Sequence, residues 1–419
     1  MKKIVFIFII LFLYGCGGGS SNTPKDNSIE KKLPFVFKVK TDNEGASSDT
    51  MFEIPTYGDG YNYSVDCDND GVYEVENLTK NYICSYEIAG EYTISISGAF
   101  PQIRFNGEKD RKKLISIEQW GTNKWRSMNH AFDGCKNMIL STVDTPNLTQ
   151  VTDMNSTFAN TGSFNGDIGN WDVSNVTDMS RMFSYAYEFN QDIGNWDVSN
   201  VTDVSYMFYR SSNFNQNIGN WDVSSVTDMS SMFSYAYEFN QDIGSWDVSK
   251  VTDMSSMFSY VNEFNQDIGN WNVSNVTDMS DMFYRSSKFN QDIGNWDVSN
   301  VTNMSGMFYW VDDFNQDIGN WDVSSVTDMS SMFYRSLKFN QDIGSWDVSK
   351  VTDMSYMLGD VTLSNTNYDS ILTGWSSLPS LQKNVIFNAG NSKFTYHPIP
   401  LNAKNILLND YNWTIYDGM

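Results

Sequence analysis

Histidine is nearly absent from this chain. Among 419 residues only His130 and His397 carry an imidazole, and they lie far apart in sequence. That argues against histidine-based catalysis and against a multi-histidine metal site. Positive charge is scarce as well: 27 Lys and Arg stand against 51 Asp and Glu, a formal net charge of −24. A surface of that sign repels phosphate backbones, so nucleic acid is not an expected partner. Beyond Tyr14 no apolar stretch approaches membrane-spanning length, so the remainder is expected to be soluble and held outside the cytoplasm. No Ser-His-Asp set, thiol–imidazole pair, glycine-rich phosphate loop or metal-hydrolase motif stands out. The reading is therefore non-enzymatic.

The start of the chain carries an address. Lys2 and Lys3 precede an unbroken apolar run from Ile4 to Tyr14, which has signal-peptide length. The run closes on Leu13-Tyr14-Gly15-Cys16. This resembles the lipobox of bacterial lipoproteins, which implies that residues 1–15 are removed and that Cys16 is lipidated as the new N-terminus. Gly17, Gly18, Gly19, Ser20 and Ser21 open a polar segment, so residues 16–33 read as a flexible tether. The expected location is extracytoplasmic. The chain would be held by the N-terminal lipid at the bacterial cell surface, with the outer membrane favoured.

What is abundant is repetition. Trp171, Trp196, Trp221, Trp246, Trp271, Trp296, Trp321 and Trp346 are each 25 residues apart. The unit reads FNQDIGNWDVSNVTDMSSMFSYAYE with small changes. A fixed period of this length is the mark of stacked units that bury their apolar faces against their neighbours. Two periods lie within each unit. Phe189, Gln191 and Ile193 alternate as a short strand does, and Trp196 and Val198 continue inward beyond a turn at Gly194. Val201, Val204, Met207 and Phe208 then follow helical or 3₁₀ spacing, with Ser199 placed to cap that segment. A strand and a short helical segment per 25 residues predict a leucine-rich-repeat-like solenoid, with Met, Phe and Trp in place of leucine.

Flanking segments differ in composition. Residues 34–99 alternate apolar and polar in stretches such as 61–66 and 91–98, which predicts a small all-β sandwich. Tyr86, Gly90, Tyr92, Ile94 and Ile96 resemble the final strands of PKD-like domains, an immunoglobulin-like class. Residues 100–160 read as degenerate N-terminal repeats marked by Trp120, Met128, Phe132 and Cys135, then Leu148, Val151, Met154 and Phe158. Regular repeats run over 161–358, and residues 359–419 read as a C-terminal cap. Cys67 and Cys84 flank an expected hairpin and are expected to pair in an oxidising compartment. Cys135 is expected to be a buried small apolar residue.

The unit FNQDIGNWDVSNVTDMSSMF resembles the repeat of BspA-type leucine-rich-repeat surface proteins of bacteria, in the lipoprotein form. The likeness runs from SIEQWG at 116–121 through the array to YDSILTGWSSL and NWTIYDG. It implies a secreted or surface-anchored protein. Several members are regarded as adhesins, so binding to a host, matrix or other cells through a protein or glycan ligand is the implied function. A structural spacer or variable surface antigen without a dedicated ligand is the alternative.

Candidate site residues fall into three groups. Acidic columns at Asp192, Asp197, Asp203 and their 25-residue equivalents suit either Ca²⁺ held between repeats or backbone-capping turn chemistry. Asn217, Asn272 and Asn303 each replace one Asp in a different column, which favours the turn reading because Asn keeps the acceptor and loses the charge. Asp66, Asp68 and Asp70 followed by Gly71 resemble the start of a calcium loop, and an ordinary hairpin turn explains them as well. Calcium is thus a possible cofactor and no other is expected. The third group is the variable window after each Met-Phe. Tyr209, Arg210, Tyr284, Arg285, Tyr309, Trp310, Tyr334 and Arg335 are of the types enriched at binding hot spots, and the competing reading is a tolerant exposed loop.

Overall fold

The first strand shows how the sequence writes its own burial. In FVFKVK, Phe35, Phe37 and Val39 face inward while their neighbours stay half-exposed, the period-two pattern of a strand with one face on a core. The computed structural model describes residues 32–418. The expected leader, Cys16 and the Gly17–Ser21 run lie outside the described residues.

The N-terminal part is built from β1 (Phe35–Lys40), β2 (Met51–Ile54), β3 (Asn62–Asp66), β4 (Val75–Leu78), β5 (Tyr82–Ser85), β6 (Glu91–Ala99), β7 (Leu114–Gln119) and β8 (Ile139–Leu140). Six of these form one open sheet in the order β4-β3-β6-β1-β7-β8, and β2 pairs with β5 in a separate ladder. The two strands read from sequence at 61–66 and 91–98 are β3 and β6, paired antiparallel with Tyr63 opposite Gly98. Phe52 of β2 packs on Phe37 of β1, with ring centroids 5.8 Å apart.

The sheet runs on past the expected boundary at residue 99. β7 and β8 come from the stretch assigned to degenerate repeats, yet they complete the sheet. β7 meets β1 antiparallel and β8 parallel, so the chain changes from hairpin pairing to parallel stacking within this sheet. The parallel register then continues through Lys124↔Asn147 and Asp153↔Asp178 into the array. Trp120 seals the junction, 6.0 Å from Phe132 and 5.4 Å from Trp171.

Within 161–358 the inward assignment made from sequence is correct: Phe189, Ile193, Trp196, Val198, Val201, Val204, Met207 and Phe208 are all buried. The expected secondary structure is not present. No strand and no helix occurs in this stretch, only turns and single-residue parallel bridges running from Asp178 through Asn303 to Asp353. The hydrogen bonds give the reason. Met179, Arg181, Phe183 and Tyr185 donate their N–H groups to Asp203, Ser205, Met207 and Tyr209 of the next repeat. The residues between them, Met182, Ser184 and Ala186, close local turns onto Met179, Arg181 and Phe183. Alternate amides therefore point across and back, whereas a strand sends its amides to neighbouring strands and a helix keeps them within itself. Each local turn bonds an amide to the carbonyl three residues before it, and this produced the apparent helical spacing of Val201, Val204 and Met207. Ser199 likewise does not cap a helix; its N–H and hydroxyl both donate to Asp197, at 3.1 and 2.6 Å.

Three aromatic columns fill the interior. Central tryptophans stack at 6.4–6.5 Å, nearly parallel, in the pair Trp196–Trp221 and in the run from Trp246 to Trp346. Each indole N–H donates to a backbone carbonyl of the preceding repeat, as Trp271 does to Ile243 at 3.1 Å. Two phenylalanine columns run alongside, with Phe208 3.8 Å from Phe214 by ring centroid. Glycine is demanded at one point of the unit: a Cβ on Gly194 would lie 2.5 Å from the carbonyl oxygen of Asn217 in the next repeat.

The C-terminal cap imitates one more repeat. Helix α1 (Asn365–Ser376) is N-capped by Ser364, whose hydroxyl accepts from Asn367 N–H, and buries Tyr368, Ile371, Leu372 and Trp375. Trp375 donates to Ile343 at 3.2 Å, taking the next place in the tryptophan column. Strand β9 (Ile386–Asn388) continues the parallel register through Phe387 opposite Met354. Helix α2 (Pro398–Asp410) and β10 (Thr414–Tyr416), parallel to β9, cover the outer face.

Candidate binding face

Each repeat carries two residues with positive φ, at the third positions of successive turns. One column is Arg181, Tyr206, Ser231, Ser256, Asp281, Gly306, Ser331 and Tyr356; the other is Tyr185, Arg210, Tyr235, Tyr260, Arg285, Trp310, Arg335 and Asp360. Left-handed backbone is natural for Gly and Asn and unfavourable by roughly 1 kcal/mol or more for large side chains. Here the chain places Tyr, Arg and Trp in it repeatedly. The turn projects them from one side of the stack, next to the residue that precedes each of them.

The result is a continuous aromatic and guanidinium stripe. Tyr185, Tyr209, Tyr235, Tyr260, Tyr284, Tyr309, Tyr334 and Tyr356 follow one another with ring centroids 4.3 to 6.1 Å apart. Arg210 lies 4.6 Å over Tyr235, Arg285 lies 4.4 Å over Trp310, and Arg335 lies 4.8 Å from the same indole. The structure thus brings all eight stripe residues expected from sequence into one surface. All eight are half-buried, held by stacking and cation–π contact rather than swinging free. Burial pushes the Tyr284 phenol up to about 12.

Sequence reasoning missed the second column, because it looked only after Met-Phe. The signal was present in the single variable residue between the two methionines, as in Met-Ser-Asp-Met at 279–282. Where that residue and its neighbour are both serine, at Ser231 with Ser234 and Ser256 with Ser259, the stripe has a notch. Tyr206 and Tyr209 close one end and Tyr284 with Asp281 the other, around about 370 Å³.

The acidic columns cap the turns of their own repeats. Asp192 accepts from Gly194 N–H at 3.0 Å, Asp197 from Ser199, and Asp203 from Ser205 at 2.8 Å. Asn217, Asn272 and Asn303 accept the corresponding bonds from Gly219, Ser274 and Ser305. Among the described residues one group of three acidic side chains converges, and it is Asp66, Asp68 and Glu74, with ligand atoms within 4.8 Å of one another. Asp70 is not in it, which corrects the set Asp66, Asp68, Asp70: its carboxylate turns away to accept from Val72 N–H. Glu74 was overlooked because it lies beyond the Asp-rich segment. These three could hold a divalent cation. Asp66 and Glu74 also accept backbone N–H groups of Gly71 and Cys67, so the loop has a structural use for them.

Cys67 and Cys84 form a disulfide with Cα atoms 5.7 Å apart. It does not tie two strands of one hairpin. Cys67 follows β3 of the large sheet and Cys84 belongs to β5, so it links the two ladders. Cys135 is free and buried, and burial pushes its thiol well up.

Three overlapping matches to one family model, described as "Mycoplasma protein of unknown function, DUF285", cover residues 102–216, 191–292 and 261–375. Together they span more than half of the chain. The chain belongs to this family. It is a tandem-repeat protein; among the described residues its regular elements are mostly β strands with few helices, and there is no closed barrel. The family description names no catalytic activity. No curated protein matches the chain. Among the described residues no helix is long and apolar enough to cross a membrane.

Proposed function

We propose that this DUF285 protein is a non-catalytic surface lipoprotein of the BspA type. In this reading the stacked repeats are a leucine-rich-repeat-like solenoid, the strands before them a small β-sandwich, and Cys16 the lipid attachment point at the cell surface. The solenoid binds a ligand on a host, matrix or neighbouring cell through the Tyr/Arg/Trp stripe. One observation carries the proposal: large aromatic and cationic side chains occupy left-handed backbone positions in register over seven repeats, from Tyr185 to Arg335. Backbone strain kept at a surface where Gly or Asn would relieve it is typical of functional sites. Tyr, Trp and Arg are also the residues that anchor interfaces.

The test is binding of the full chain to immobilised matrix proteins and to whole cells. Trp310→Ala and Arg285→Ala should abolish it while leaving the fold intact. The alternative, a spacer or variable antigen, draws on the near-identity of the repeats, which allows copy number to change without disturbing the stacking register. A spacer would tolerate both substitutions and respond only to repeat number. Cys16→Ser should block incorporation of labelled palmitate; a labelled Ser variant would remove the anchor from the proposal.

A further inference from the structure

A second cluster of reactive groups lies in the N-terminal sheets, away from the stripe. Glu53 on β2, Asn81 just before β5 and Lys109 between β6 and β7 meet there, all half-buried. Packing brings them together: Ile54 of β2 pairs with Tyr82 of β5, and Phe52 packs on Phe105 with ring centroids 6.4 Å apart. One oxygen of Glu53, Oε1, accepts from both Asn81 Nδ2 and Lys109 Nζ, the latter at 3.0 Å. Two donors on one acceptor stand no more than about 6 Å apart. The backbone N–H of Thr56 and its hydroxyl both donate to Asn81 Oδ1, at 2.8 and 2.7 Å. A backbone N–H can only donate, so it fixes which end of the amide is the oxygen. Lys109 itself sits at a φ of 56°, the left-handed backbone that side chains hold at functional sites.

These are the parts of an acyl transfer. Lys109 supplies an amine nucleophile, Glu53 a base within hydrogen-bond reach of it, and Asn81 a carboxamide carbon. Thr56 supplies two donors at the oxygen where negative charge develops. We infer that Lys109 and Asn81 join in an intramolecular isopeptide bond, with Glu53 as the proton carrier. Glu53 takes a proton from the Lys109 ammonium, and the freed Nζ attacks Asn81 Cγ. The Nζ–Cγ bond forms while Oδ1 holds the charge against Thr56. Glu53 passes its proton to Nδ2, and the Cγ–Nδ2 bond breaks. A second proton lost from Nζ leaves with the departing nitrogen. The sum is one ammonium side chain and one carboxamide converted to one amide and one ammonium ion, so atoms and charge balance without oxidant or cofactor. Partial burial favours the neutral amine and acid that the attack requires. The bond ties the start of β5 to the β6–β7 connection, as the Cys67–Cys84 disulfide ties β5 to the end of β3. It is a single self-modification, independent of the stripe.

The experiment is tryptic peptide mapping of the reduced full chain by mass spectrometry. Trypsin cuts after Arg104, between the two anchors. Fragments 81–104 and 105–111 should nevertheless remain one species, lighter than their sum by one ammonia, with the link located at Asn81 and Lys109. Lys109→Arg keeps the positive charge and should give separate fragments. Glu53→Gln keeps a hydrogen-bonding side chain and removes the proton transfer, so linking should slow at least about a hundredfold. Circular dichroism checks that both variants fold; if either does not, the parent's fragments still decide. Separate fragments of full mass in the parent overturn the inference. So does an ammonia loss located at Asn106–Gly107, where a succinimide forms without Lys109, and so does linking of folded Glu53→Gln at the parent's rate.

Discussion

Replacing Trp271 with alanine tests the packing scheme at its centre. Trp271 is 3% exposed and lies between Trp246 and Trp296, each 6.5 Å away and within 3° of parallel. Its indole N–H donates to Ile243 O at 3.1 Å. Truncation of a buried aromatic residue to alanine removes about 3–5 kcal/mol through lost transfer energy and cavity formation. The Ile243 carbonyl, left without its donor, adds about 1 kcal/mol or more. The expected loss is therefore about 4–6 kcal/mol. Trp271→Phe keeps a stacked ring and loses the bond, so it should cost about 1–3 kcal/mol. Because each repeat touches only its neighbours, the alanine variant weakens two interfaces at once. Urea unfolding followed by tryptophan fluorescence and circular dichroism should then lose its single transition. Trp413→Ala, in the C-terminal cap, should fray the end and leave distant repeats unaffected. A surface-like value below about 0.5 kcal/mol for Trp271→Ala would refute the inward register.

Three further outcomes are expected. Replacing both Cys67 and Cys84 by alanine should destabilise the N-terminal sheet by about 3 kcal/mol, given the 17-residue separation; free thiols at both positions in non-reduced peptide mass spectrometry would remove the basis for this. Asp242→Asn should be nearly neutral in thermal melts, since Asn217 makes the same bond one repeat earlier, and Ca²⁺ should stabilise the chain no more than NaCl of equal ionic strength. A saturable Ca²⁺-specific shift that Asp66→Asn removes would place a cation at the β3–β4 turn, and one that persists would contradict the turn reading of the columns. Hydrogen bonds from Ser199, Ser249 and Ser324 hold Asp197, Asp247 and Asp322 below the usual carboxylate range. A depressed folded pKa gives stability that is present above the unfolded value, about 3.9, and lost as pH falls through the folded one. The melting temperature should therefore decline below about pH 4 and less steeply in Ser199→Ala; a decline that begins above pH 6 would assign acid sensitivity to other groups.

Burial was legible in the sequence because a repeat states it many times over. Ile193, Trp196 and Val198 recur at the same offsets with the same character, and a position that stays apolar in every copy of one unit faces the interior. The secondary structure within the unit was not legible. Spacings of two and three arise from strands and helices, but they arise equally from consecutive four-residue turns whose alternate amides cross to the next repeat. Which partner an amide finds depends on the neighbouring repeat, and periodicity does not encode that. The stripe residues named from the variable windows were found by their types. Their partners in the second column, Asp281 and Ser231 among them, lay outside those windows, and nothing local links a residue before Met-Phe with one after it.

The sequence alone determined the 25-residue period and the inward set, and Asn217, Asn272 and Asn303 favoured the turn reading of the acidic columns. Tertiary structure decided everything that depends on stacking. It carried the N-terminal sheet through β7 and β8 into the array, drew Glu74 rather than Asp70 to Asp66 and Asp68, and joined rings 22 to 26 residues apart into one stripe. The physical reason is the same in each case. Side chains of different repeats meet only because backbone amides lock the repeats into register, and that register is a property of the stack, not of any one unit.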